Sequence, residues 1–307
     1  MRIKKAHIGW LLAGWTLLVS PAFADAALTA KIDAYLQPTV DAGRFSGSVL
    51  VTQDGSVVFD KAYGFANVEQ HIANQTSTSF HIGSLTRLYT AATVMMLVDK
   101  QRLWLTNTVV QFVPGIANGD KITIADLLNS KDPADYDLLA RIVEIDTAKP
   151  LADIMDTDFF GPFFMHGSGL DDGTVSGERS MARGYVWDQA LHPAAPSGGG
   201  YTTTRDELRW IEAFFEDRLV SPASRQTLLD GTGWKRADTE LGGPAYFQED
   251  EGHGFSSLVL HVPKRDVTVI VLGNIESAQG TMGQVGIFLA TLALGSLGED
   301  LPPQSAQ

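Results

Sequence analysis

Cysteine is absent from the 307-residue chain, which excludes a disulfide framework, a thiolate metal site and a lipid-modified cysteine. A chain of this length can bury a sufficient core without disulfides. Basic charge is scarce: 23 Lys and Arg stand against 36 Asp and Glu, a formal charge of −13. Without Arg2, Lys4 and Lys5 of the N-terminal segment it becomes −16. Nucleic acid and anionic membrane surfaces both need a basic footprint, so neither is expected as a partner. Long hydrophobic runs are missing as well. The apolar stretch at 8–19 falls short of the roughly 18 residues that a spanning helix needs, and the one at 282–297 reads as core packing. No H-E-x-x-H spacing joins the histidines, and Gly198-Gly199-Gly200 lacks the lysine of a phosphate loop. No metal or cofactor is expected.

What is present is ordinary globular composition, 44% hydrophobic and 19% charged. The basic start, the short apolar run and Ala22-Phe23-Ala24 form a secretory leader over residues 1–24, with Ala24-Asp25-Ala26 a second cleavage choice. The mature chain is therefore expected in the periplasm or outside the cell, without a membrane span. A helix is expected over 27–42, then strands over 46–52 and 57–63 joined through Asp54-Gly55, a hairpin signal. From Phe80 the pattern turns helical, apolar almost all round, so this helix should be buried. Helices are expected over 124–128, 138–145 and 205–215, and strands over 255–262 and 267–272 around Pro263-Lys264-Arg265-Asp266. The fold class is α/β (α+β): one antiparallel sheet built from both chain ends, about 27–105 and 235–298. A helical subdomain is inserted at about 106–234, in a single domain over 27–301 with a tail at 302–307.

Phe80-His81-Ile82-Gly83-Ser84-Leu85-Thr86-Arg87 resembles the nucleophile segment of the serine β-lactamase and penicillin-binding protein family. The nearest branch is that of class C β-lactamases, esterases and D-alanyl-D-alanine carboxypeptidases. Phe45-Ser46-Gly47-Ser48-Val49, Ile122-Thr123-Ile124-Ala125-Asp126-Leu127-Leu128, Gly198-Gly199-Gly200-Tyr201-Thr202-Thr203 and Gly254-Phe255-Ser256-Ser257 follow in the family's order. The resemblance implies a β-lactamase/transpeptidase-like fold and acyl transfer through a covalent serine ester.

Ser84 stands where the family has its nucleophile, and Gly83 before it permits a tight turn. The residue three positions on, a lysine in relatives, is Arg87. A guanidinium donates hydrogen bonds but cannot be deprotonated in a protein, so it cannot serve as the base. The second motif, Tyr-x-Asn or Ser-x-Asn, looks deleted, because the connection over 129–136 is short. Tyr136 could swing in, or Lys131 could serve as a transplanted base. For the third motif two registers are open. One places Gln248, Glu249 and Asp250 on the strand before a loop of Glu251-Gly252-His253-Gly254; the other keeps Gly252-His253 as the motif. With the first, like charge opposes a carboxylate-bearing β-lactam. The candidate catalytic residues are Ser84, Arg87, Lys131 and Tyr136; the candidate binding residues are Gln248, Asp250 and His253. The expected function is that of an impaired serine-hydrolase homologue, which binds a small or cell-wall-derived ligand or a protein partner. The alternative is an active hydrolase acylated at Ser84 with a relocated base.

Overall fold

The computed structural model describes residues 26–171, 180–188, 190–195, 198–231, 233–239, 242–277 and 282–295. The expected leader, the tail and Ser197 lie outside the described residues. The chain opens with α1 (Ala26–Asp41), the hairpin β1 (Gly47–Gln53) and β2 (Ser56–Tyr63), and three short strands, β3 (Phe65–Asn67), β4 (Ile72–Ala73) and β5 (Phe80–His81). The middle holds α2 (Thr86–Asp99), α3 (Ile124–Leu128), α4 (Pro133–Thr147) and α5 (Leu151–Met155). Next come β6 (Gly169–Asp171), β7 (Tyr185–Trp187), β8 (Leu191–Pro193), β9 (Gly199–Thr202), α6 (Thr204–Phe215) and α7 (Pro222–Gly231). The end returns to strands, β10 (Lys235–Thr239), β11 (Gly243–Gly252), β12 (Phe255–Val262), β13 (Val267–Gly273) and β14 (Ile275–Ser277), before α8 (Met282–Ala293).

Six strands form one sheet in the order β10-β11-β12-β13-β1-β2, every neighbouring pair antiparallel. Both chain ends therefore contribute to it, as the strand pattern implied. Side chains alternate between two apolar layers, because successive residues of a strand point to opposite faces. Val49 and Val51 meet Leu28, Ile32 and Leu36 of α1 and Leu289 of α8. Leu50, Val259 and Ile270 face the other way, into a core shared with α2 and α6. A sheet covered on both faces needs strands that are apolar on both, which is why β13 is buried throughout. Among the described residues no helix is long and apolar enough to cross a membrane.

Three local expectations change. Phe80 and His81 are not the start of a helix but strand β5, paired with Thr202 and Tyr201 of β9; a two-residue strand is too short to show a period. Tyr136 does not lie on a connection, since α4 begins at Pro133. There the Asp132 side chain accepts from the Ala134 N–H at 3.0 Å, and a proline fits the first helical position, which needs no N–H partner. The turn before β12 is also tighter than the expected four-residue loop. Gly252 pairs with Phe255, leaving His253 and Gly254 as a two-residue turn with φ of 54° and 85°, the twist that a tight hairpin favours.

Candidate active site

Ser84 lies in a single 3₁₀ turn, Gly83–Leu85, that leads into α2. The chain is pinned on either side of it. Ile82 N–H donates to the Gly200 carbonyl at 3.0 Å, and the Ile82 carbonyl accepts from the Ser257 hydroxyl at 3.0 Å. Gly200 N–H in turn donates to Thr86 Oγ1 at 2.9 Å. A Cβ at Gly200 would meet that oxygen at 2.6 Å, so the glycine-rich segment reads as a close backbone approach to the Ser84 turn.

The Ser84 hydroxyl donates to Asp250 Oδ1 at 2.6 Å. Asp250 sits on β11 opposite Ser257 of β12, and its carboxylate overlies residues 83 and 84. Gly83 has φ of +52°, and a Cβ there would come within 2.0 Å of Asp250 Oδ2. Both the backbone conformation and the seat of the carboxylate thus require glycine.

Arg87 turns elsewhere. Its Nη1 donates to the Lys131 carbonyl at 3.1 Å, and its guanidinium lies 5.3 Å from the centre of the Tyr136 ring. Tyr136 is buried and its hydroxyl donates to the Leu128 carbonyl at 2.9 Å; burial pushes the phenol up to about 12, against the Arg87 charge. Lys131 is exposed. Arg87, Lys131 and Tyr136 thus tie α2 to α4, and none of the three makes a hydrogen bond to Ser84 in the described structure. Gln248 is 8% exposed with Oε1 unpaired, two residues from Asp250 and on the same face of β11. His253 is exposed, at the turn.

A small cavity of about 40 Å³ opens beside the Ser84 turn, lined among others by His81, Gly83, Asp250, His253, Phe255 and Ser257. His81 was not among the expected site residues. It is 4% exposed, its Nε2 lies 3.3 Å from Asp171 Oδ2, and its ring meets Phe255 edge-on at 5.2 Å. Burial lowers its pKa, opposed by the Asp171 charge. Ninety residues separate His81 from Asp171 in a tertiary pairing with no signature of local spacing. Among the described residues no group of three His, Asp or Glu is arranged to hold a metal ion.

A two-ended antiparallel sheet, a helix opening on a serine turn and a strand running beside that turn define a serine-hydrolase-like scaffold of the β-lactamase and penicillin-binding protein type. The β-lactamase family model matches residues 29–131 and 132–289, and the chain belongs to that family. It is 24% identical over 256 residues to the teichoic acid D-alanine hydrolase of Staphylococcus aureus (strain MRSA252), covering 68% of this chain and 63% of that protein. The chain thus spans under two thirds of that relative's length. Among solved structures, it resembles the octameric penicillin-binding protein homologue from Pyrococcus abyssi, with TM-score 0.77 and 20% identity over 87% of this chain and 77% of that one. It also resembles FmtA from Staphylococcus aureus, with TM-score 0.73 and 19% identity over 92% and 93%. At such identities the structural likeness concerns the fold.

Proposed function

We propose that this chain is an exported member of the family that binds a small acyl compound of cell-wall chemistry at the Ser84 pocket and does not turn it over at an enzymatic rate. One observation carries the reading: the Ser84 hydroxyl is hydrogen-bonded to Asp250, while Arg87 faces the Lys131 carbonyl. A carboxylate is by nature a far weaker base than the lysine amine it would replace. Its negative charge also lies against the Ser84 oxygen, where it opposes the negative charge that develops as a carbonyl is attacked, which raises the barrier to acyl transfer. General-base assistance is worth about 10² to 10⁴ in rate. The named activity of the staphylococcal relative, release of D-alanine from teichoic acid, gives the ligand class to try first: small D-alanyl esters and amides.

The basic leader with its A-x-A site supports export. Protein recovered from its native host should begin at Asp25 or Ala27 by intact mass; recovery of a chain that keeps Met1 would contradict this. For catalysis, steady-state hydrolysis of p-nitrophenyl acetate and a chromogenic cephalosporin should stay within about tenfold of Ser84→Ala. Turnover above about 1 s⁻¹ that Ser84→Ala abolishes would overturn the reading.

A second reading, an active hydrolase with Asp250 as base, is favoured by the same 2.6 Å contact, since a general base must sit within hydrogen-bond reach of the proton it takes.

A further inference from the structure

The sign of the charge around the Ser84 pocket points to what it selects. We propose that the cavity beside Ser84 is a subsite for a small cationic head group, a primary ammonium, so that the preferred ligands are amine-bearing acyl compounds and not carboxylate-bearing ones. The proposal rests on the reading of this pocket as a ligand site and names its ligand class.

Asp250 is the charged side chain among the described lining residues, which include no lysine or arginine. Its Oδ1 accepts from Ser84, and a carboxylate offers about four lone-pair sites, so it can accept a further N–H⁺ donor without releasing the serine. Ser257 uses its proton on the Ile82 carbonyl at 3.0 Å, which leaves its oxygen an acceptor. Other titratable groups at the cavity do not reverse the sign. His81 is held toward its neutral form by burial, and Asp171 stands behind it at 3.3 Å. His253 sits exposed at the turn. Arg87, three residues along the chain from Ser84, is directed to the Lys131 carbonyl and the Tyr136 ring.

Size and shape agree. A cavity of about 40 Å³ holds roughly three water-sized groups, enough for an ammonium on a short stem and too little for a ring. Phe255 and His81, packed edge to face at 5.2 Å, add uncharged ring surface to the lining. A carboxylate in the same place would lie against Asp250 with no countercharge, a repulsive contact that discriminates against it.

The test is a calorimetric titration of the mature chain with three probes: alaninamide, a cation; N-acetylalaninamide, neutral; and N-acetylalanine, an anion of the same heavy-atom count as the neutral probe. Both enantiomers are tried at low and at moderate salt. Expected is at least a tenfold preference for alaninamide over the other two, weakened by salt and lost in Asp250→Asn, whose near-identical shape keeps the strand register. Asp250→Lys should invert the preference toward N-acetylalanine. Equal binding of neutral and cationic probes, or an Asp250→Asn chain with the preference intact, would overturn the subsite and leave the pocket as a ligand site. An amine preference accompanied by fast, Ser84-dependent hydrolysis would uphold the subsite and overturn the slow-turnover reading. Absence of binding by all three probes would overturn both. If Asp250→Asn failed to fold, the wild-type probe ranking and its salt dependence would still decide.

Discussion

Ser84 is positioned by its neighbours, and its hydroxyl is hydrogen-bonded to one of them. Ile82 and Thr86 are tied to the glycine-rich strand and to Ser257, and Asp250 takes the hydroxyl proton's hydrogen bond. Gly83 makes that arrangement possible. In Gly83→Ala the new Cβ would both occupy the left-handed region at φ +52° and fall 2.0 Å from Asp250 Oδ2. Strain of this kind costs about 1–3 kcal/mol, so the variant should melt several degrees lower; an unchanged melting temperature would mean that the carboxylate does not lie over the turn. Restoring the family lysine should not restore chemistry. Arg87→Lys is expected to gain less than about tenfold in Ser84 labelling, because the other groups of the family's base are not at the serine. A larger gain would identify residue 87 as the one missing part. The serine and the arginine were legible from the nucleophile segment alone. The Ser84–Asp250 contact spans 166 positions and was not, because it depends on which residues of β11 face inward.

At the scale of elements, that facing is set by the β11–β12 hairpin. His253 and Gly254 form a two-residue turn, and moving its register by one residue would carry Asp250 to the opposite face of the sheet. Gly254→Ala is the direct probe. A Cβ there would approach Ala194 Cβ at 2.4 Å and Tyr185 N at 2.7 Å, at φ +85°. A loss of more than about 1 kcal/mol is expected in chemical denaturation, with an altered Ser84–Asp250 contact; a neutral substitution would show that the turn is not what holds the register. Long elements with a clear period, such as α1, α6 and the β12–β13 pair, agreed with the residues. Shorter ones did not. Phe80-His81 joins a sheet by tertiary pairing, and the start of α4 is decided by a cap and a proline, where periodicity carries no information.

Across the whole molecule, the two apolar layers bury several ionisable groups. Glu207 of α6 is buried, accepts from the Tyr89 hydroxyl, and is pushed up to about 7 by burial, against that hydrogen bond. Its folded pKa stands above its ordinary 4.5, so the stability it contributes is present below about 4.5 and lost as pH rises through 7. At 1.36 kcal/mol per unit this comes to about 3 kcal/mol. His261 acts in the opposite direction. Burial lowers it from 6.5 to about 4, so its contribution is present above 6.5 and lost as pH falls toward 4. Glu207→Gln keeps an acceptor for Tyr89 and removes the titration. Its melting temperature should rise relative to the parent between pH 5 and 8; a gap that stays flat across that range would contradict a raised Glu207 pKa. The sheet from both chain ends was legible in the order of apolar runs, whereas these buried carboxyl and imidazole groups were not, because burial is a property of the packed layers.

All three scales converge on whether Asp250 restrains Ser84 or activates it. The direct measurement is the rate of fluorophosphonate labelling of Ser84, followed by intact mass, in the parent chain, Ser84→Ala and Asp250→Asn. Expected is parent labelling within about tenfold of the Ser84→Ala background, equal or faster in Asp250→Asn. Rapid labelling of the parent that both substitutions abolish would contradict this and make Asp250 the base of a working hydrolase.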